Sequence, residues 1–209
     1  MTELDRLAAL HTDLWVFDND GTLFDVSHLE RVIEHLMDEF FAKLFNTNFV
    51  EGRSIRIEYK KRYSTRSTVV ALHRGGIAVE SFIRETYLAV GHEAISTCSP
   101  TALASLVSKL PGRKIVLTNN PSEFTLQVLR KFGLDHMFDS IYGIRELNFI
   151  MKPEHEAFAP LKAVLAEKKR VIFIDDVAEN VIAAARLGCI ARRWNGKRLV
   201  KIGGNNALS

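Results

Sequence analysis

Three short apolar runs, each ending in a polar cluster, constrain this chain more than any bulk property. They are LWVFD at 14–18, KIVLTN at 114–119 and RVIFIDD at 170–176. None alternates apolar with polar residues as a half-solvated strand does, so each reads as a strand covered on both faces. Weaker strand signals fall at 140–143 and 189–194, and helical patterns at 121–132, 153–167 and 177–187 lie between them. Strands alternating with helices predict an α/β fold built on a doubly wound parallel sheet. Ligands of such sheets sit beyond the carboxyl ends of the strands. That rule gathers Asp18, Asp20, Thr118, Asp175 and Asp176 around one crevice although they are far apart in sequence.

With 209 residues the chain can build one good core, or a core and a small satellite. Its 47% hydrophobic and 25% charged residues are ordinary globular values and exclude disorder. The net charge of +3 and pI near 8.9 are mildly basic. Blocks of like charge extend no further than Lys60-Lys61-Arg62 and Lys168-Lys169-Arg170, so a small anionic substrate is expected and a nucleic-acid polymer is not. The N-terminus carries acids before any apolar run and does not read as a secretory signal. No apolar stretch approaches a membrane span, and Cys98 and Cys189 form no CxxC pair. A cytoplasmic, reducing location is the expectation, with the oligomeric state left open.

Residues 24–96 are too many for a plain crossover, which needs about a dozen. Apolar residues from Leu29 to Phe45 keep a three-four spacing, and further helical stretches follow at 53–63, 67–73 and 79–89. The expected organisation is a helical cap at 24–96 inserted into a catalytic core made of 1–23 and 97–209. An insert leaving the sheet just after Asp20 is a candidate lid. The tail 203–209 reads as frayed.

Alone, Asp-x-Asp-Gly-Thr at 18–22 reads as a turn or helix cap, Asp175-Asp176 as a cap of the next helix, and Lys152 as a solvated lysine before a helix opened by Pro153. The run is not an EF-hand loop, since Leu23 and Leu29 fall where the glycine and bidentate glutamate belong. His92-Glu93 and His155-Glu156 lack a second histidine at metal-ligand spacing and read as surface residues. Taken together, four carboxylates at the ends of two strands demand compensation, because buried ionised carboxylates are expensive. Oxygens of Asp18, the Asp20 backbone and Asp175-Asp176 suit magnesium, which binds few protein carboxylates and keeps waters. Thr118 can donate a hydroxyl, backbone amides beside it at Asn119 can cradle phosphate oxygens, and Lys152 supplies a point charge. These are the halves of a phosphoryl-transfer site.

In the motifs FDNDGTL at 17–23, LTNN at 117–120, KP at 152–153 and FIDDVAENV at 173–181, taken in that order, the chain resembles the haloacid dehalogenase-like hydrolases. The resemblance implies a Rossmann-like core with a helical cap, magnesium, and a covalent aspartyl-phosphate intermediate. Carried over by motif, Asp18 is the nucleophile and Asp20 the general acid/base. Thr118 and Lys152 hold the phosphate, and Asp175 and Asp176 serve the metal. Within the family, EYKKRYSTRSTVVALHRGGI at 58–77 and LTNNPSEFTLQVLRKFGLDHMFDSIYGI at 117–144 are most similar to pyrimidine 5'-nucleotidase-like phosphatases. That implies a nucleoside monophosphate such as UMP or CMP, with Tyr63, Ser64, Thr65 and Arg66 as candidate base or sugar contacts; the alternative is that Tyr63 packs and Arg66 is solvated. The pattern departs at Asn19, polar where an apolar residue is common, at Asn120, larger than usual, and in the apolar ELNFIM before Lys152. A sugar-phosphate phosphatase or phosphomutase of the same fold, or a non-catalytic binding module, are the alternatives.

Overall fold

The computed structural model describes residues 2–202, so the tail 203–209 lies outside the described residues. The chain divides into two compact units: residues up to Asp25 together with those from Ser99 onward, and Val26–Cys98.

The first unit opens with α1 (Glu3–Ala8), β1 (Leu14–Phe17) and the two-residue β2 (Phe24–Asp25). The second unit holds α2 (Ser27–Leu44), α3 (Phe49–Arg62), α4 (Thr68–Arg74), α5 (Val79–Glu85) and α6 (His92–Ile95). The first then resumes with β3 (Ser99–Pro100), β4 (Arg113–Leu117), α7 (Ser122–Lys131), β5 (Ser140–Tyr142), α8 (Ala159–Ala166), β6 (Val171–Asp175), α9 (Ala178–Arg186), β7 (Ile190–Trp194) and β8 (Leu199–Val200).

The expected doubly wound sheet is present, in the order β5-β4-β1-β6-β7-β8, with every pair parallel except the edge pair β7–β8. β1 is the switch point: the chain adds strands on its β4 side and then on its β6 side. Phe17 is level with Val116 of β4 and Ile174 of β6, so the residues that follow these strands emerge at one height. All four residues of β1 are buried, as a strand with both faces covered requires. Alternate residues feed opposite layers. Val16, Leu117 and Phe173 pack with Phe158, Leu161 and Val181. On the other face Trp15 stacks on Phe17 at 6.2 Å, and its indole N–H donates to Pro111 O at 2.8 Å.

Helix ends differ from expectation for local reasons. The helix expected from Pro153 begins at Ala159, preceded by a 3-10 turn at His155–Phe158, and Pro160 rather than Pro153 occupies its first turn. α1 was not expected; Thr2 and Asp5 form a reciprocal capping box that starts it.

Within the helical unit, α3 starts at Phe49 instead of near 53, capped by Asn48 Oδ1 accepting from Glu51 N at 3.0 Å. Gly52 hides that start from a propensity reading, yet a Cβ there would lie 2.6 Å from Ala42 N, so glycine is what lets α2 and α3 approach. α5 stops at Glu85, short of the expected 89, where Thr86 Oγ1 turns back to Phe82 O at 2.6 Å. Arg56 Nε donates to Asp38 Oδ1 at 2.6 Å, both side chains being buried between α2 and α3.

Candidate active site

The loop after β1 folds back on itself. Asn19 O accepts from Leu23 N at 2.8 Å and from Phe24 N at 3.0 Å, and Gly21 N donates to Phe24 O at 2.8 Å. Gly21 has φ +78°, and a Cβ there would lie 2.5 Å from Asp176 Oδ2. Glycine is therefore required twice, by the backbone and by the neighbouring carboxylate.

At the ends of β1, β4 and β6 the expected residues converge. Lys152 is 1% exposed, and its ammonium donates to Asp18 Oδ1 at 2.7 Å, Asp175 Oδ2 at 2.8 Å and Leu117 O at 2.6 Å. Those three contacts use the three N–H donors a lysine has. The same Nζ lies 5.7 Å from the centre of the Phe173 ring. Lys152 is thus not a solvated lysine; it is a buried charge between two carboxylates.

Asp175 Oδ1 also accepts from Val177 N at 2.8 Å, and Asn180 Nδ2 reaches both oxygens at 3.1 and 3.0 Å. Asp175 therefore holds the turn ahead of α9, whose N-cap Val177 carries no side-chain cap, as well as the lysine. Asp18 Oδ2 and Asp176 Oδ1 share the Thr22 hydroxyl, each at 3.3 Å. Arg193 Nε fixes the Asp176 carbonyl at 2.8 Å. Asp20 accepts from Asn19 Nδ2 at 3.0 Å and from Asn120 Nδ2 at 2.7 Å. Thr118 is buried, and its Oγ1 accepts from Asn120 N at 3.1 Å. The Asn119 side chain is engaged with the Lys152 main chain, so a phosphate contact from Asn119 falls to its backbone.

Four carboxylates face one ammonium here, and the electrostatics follow. Burial pushes Asp18 well above the usual carboxylate range; Lys152 opposes this, and the charges of Asp175 and Asp20 add to it. Burial also raises Asp20, against the pull of the Asn19 and Asn120 donors. Asp176 is raised by burial and by Asp175. Burial would depress Lys152, but Asp175 and Asp18 outweigh it and hold the ammonium above its ordinary range.

The donor set fits a hard divalent cation. Asp18, Asp175 and Asp176 each bring an oxygen within 4.8 Å of the others, and all are carboxylates rather than thiolates or imidazoles. Asp175 already carries internal donors on both oxygens, whereas Asp18 Oδ2 and Asp176 Oδ1 share a long contact to one hydroxyl.

Of the residues expected in the helical unit, Tyr63–Arg66 form the connection from α3 to α4. Tyr63 is half-buried, its carbonyl accepts from Arg74 at 2.9 Å, and its ring lies against Gly75. Ser64 has φ +47°, Thr65 Oγ1 accepts from Ser67 N at 3.2 Å, and Ser64 and Arg66 are exposed. Sequence reasoning passed over Thr22, Asn180 and Arg193. Thr22 and Asn180 stood inside the quoted motifs, but nothing in the sequence signalled Arg193 except its place on the strand beside β6.

The site is thus an α/β centre, a parallel sheet whose switch point is ringed by carboxylates and one buried lysine. Residues 12–188 match the family described as haloacid dehalogenase-like hydrolase, and the chain belongs to that family. A 78-residue stretch is 35% identical to the phosphoglycolate phosphatase of Pasteurella multocida (strain Pm70), covering 35% of this chain and 33% of that protein. The alignment thus spans about a third of the length of the curated relative, which is named for phosphoglycolate and not for a pyrimidine nucleotide. Among solved structures, a HAD phosphatase from Thermococcus onnurineus aligns over 93% of this chain and 90% of its own, with a TM-score of 0.59 and 16% identity. The L-2-haloacid dehalogenase of Xanthobacter autotrophicus aligns over 85% and 75%, at 0.50 and 20%. These likenesses show the fold. Among the described residues no helix is long and apolar enough to cross a membrane.

Proposed function

We propose that the protein is a magnesium-dependent phosphomonoester hydrolase working through an aspartyl-phosphate on Asp18. The observation that carries this reading is the Lys152 ammonium between Asp18 and Asp175, beside an acidic trio with oxygens within 4.8 Å of one another. A dehalogenase needs one nucleophilic carboxylate; it has no use for Asp20 together with an acidic pair.

In the first step an Asp18 oxygen forms a bond to phosphorus, the bond from phosphorus to the leaving oxygen breaks, and Asp20 gives its proton to that oxygen. In the second, Asp20 takes a proton from water, the water oxygen bonds to phosphorus, and the Asp18–phosphorus bond breaks to release inorganic phosphate. Lys152 keeps Asp18 oriented and offsets its repulsion from an anionic phosphate. Thr118 and the backbone at Asn119 face the remaining phosphate oxygens. Asp18, the Asp20 carbonyl, Asp175 and Asp176 would hold the magnesium, which supplies neutralisation of developing negative charge when bound.

The helical unit, residues 26–98, is assigned the role of cap, with Tyr63, Ser64, Thr65 and Arg66 as candidate base or sugar contacts. The substrate class is a small phosphometabolite. The 58–77 and 117–144 stretches favour a pyrimidine nucleoside monophosphate, and the Pasteurella relative favours 2-phosphoglycolate.

Inorganic phosphate release from UMP, CMP, 2-phosphoglycolate, sugar phosphates and p-nitrophenyl phosphate, with magnesium and with EDTA, tests the reading. Release that needs magnesium and vanishes in Asp18→Asn supports it. Activity indifferent to EDTA or surviving in Asp18→Asn overturns it, and isomer exchange without phosphate release would mark a phosphomutase.

A further inference from the structure

Asp20 is held at both ends. Asn19 Nδ2 donates to Oδ1 at 3.0 Å, and Asn120 Nδ2 donates to Oδ2 at 2.7 Å. The donors come from different strands: Asn19 sits in the loop after β1, and Asn120 in the turn after β4.

Neither asparagine is explained by packing alone. Asn19 is fully buried, and its Oδ1 has no hydrogen-bond partner among the described residues. An unpaired buried carbonyl is unfavourable, and an apolar side chain of the same size would avoid it. What asparagine adds at this position is the N–H aimed at Asp20. Asn120 is itself anchored: its N–H donates to Thr118 Oγ1 at 3.1 Å and its carbonyl accepts from Ile144 N at 3.0 Å. Gly143 packs so closely beneath it that a Cβ would lie 2.5 Å from Asn120 O. The amide that meets Asp20 therefore projects from a fixed backbone.

We propose that Asn19 and Asn120 act as a paired positioning device for Asp20 and thereby set which leaving groups the site accepts, an assignment that rests on the hydrolase reading above. A carboxyl tethered through both oxygens cannot swing, so its proton is delivered along one direction. In the bond-breaking step that proton goes to the departing oxygen as the Asp18–phosphorus bond forms. An alkoxide is a poor leaving group and needs the proton in the transition state; a nitrophenolate leaves readily without it. General-acid assistance is worth about 10²–10⁴-fold, so misaligning Asp20 penalises alkyl esters far more than activated aryl esters.

The test is kcat/KM for glycerol 2-phosphate and for p-nitrophenyl phosphate, with saturating magnesium, in the wild type, Asn19→Leu, Asn120→Leu and the double variant. This ratio runs through phosphoryl transfer to Asp18, so the later attack by water drops out. The alkyl-to-aryl ratio is expected to fall about tenfold in each single variant. In the double variant it falls by less than the product of the two, because one lost tether already frees the carboxyl. A uniform fall for both esters, or multiplicative singles, overturns the pairing. A wild type active on both esters whose ratio is unmoved in Asn120→Leu overturns this assignment alone; a wild type inactive on both overturns the hydrolase reading and this with it. Asn120 is partly exposed, so its variant carries the ratio test if Asn19→Leu does not fold.

Discussion

The carboxamide of Asn119 brackets the main chain of Lys152: Oδ1 accepts from Lys152 N at 2.8 Å, and Nδ2 donates to Lys152 O at 3.2 Å. The two residues come from the ends of different segments, so the bracket sets where the buried ammonium sits relative to Asp18. Asn119→Ala is expected to lower kcat/KM about ten- to a hundredfold, the usual result of misplacing a site group by about an ångström. Steady-state kinetics on the best substrate of the panel checks it, and wild-type values would show that the bracket is idle.

Lys152→Met keeps the volume and removes the charge. It leaves Asp18 and Asp175 buried against each other without their shared ammonium, and breaking a buried pair this way costs about 3–5 kcal/mol. Urea unfolding in EDTA should register that loss, and magnesium should recover part of it. Equal stability of variant and wild type in EDTA would mean that the lysine does not neutralise the site.

The acidic cluster gives stability a pH dependence with a definite sign. Asp18, Asp20 and Asp176 have folded-state affinities for protons above those of the unfolded chain. Their contribution is therefore most favourable below about pH 4, where free aspartates protonate, and declines as pH rises through the raised folded values. Lys152 acts in the opposite range: its contribution is intact until about pH 10 and is lost only above it. Magnesium needs the ionised carboxylates, so the rise in Tm on adding magnesium should grow from pH 5 to pH 8. A magnesium effect independent of pH would contradict the assignment of these residues as its ligands.

Gly21→Ala tests the loop after β1. The substitution places a Cβ 2.5 Å from Asp176 Oδ2 at a residue with φ +78°. The backbone strain alone should destabilise by about 1 kcal/mol. Displacement of the carboxylate should weaken magnesium binding further, measurable by calorimetric titration; unchanged affinity would detach Asp176 from the metal.

Sequence patterning reached the sheet because β1 and β6 throughout, and β4 from Ile115 to Leu117, are buried on both faces and therefore read as apolar runs. The convergence of Asp18, Thr118 and Asp175 was legible from the same runs, since all three leave the sheet at its carboxyl rim. What sequence could not give was the partnering. Lys152 was expected to offer its charge to a phosphate, but nothing local shows that its donors end on Asp18, Asp175 and Leu117. Asn119 and Lys152 are 33 positions apart, and Asn120 and Asp20 are 100 apart. Helix starts were misjudged at Gly52, whose missing side chain lets α2 and α3 approach, and at Pro153, which precedes a 3-10 turn rather than α8 itself.

The short ladder of β2 with β3 carries a last consequence. Asp25 and Ser99 are direct antiparallel partners, so the chain departs and returns at points about 5 Å apart. A segment whose two ends are stitched together in this way behaves as a cassette. Any folded module with neighbouring termini can be spliced between those positions without stretching the sheet or re-registering its strands.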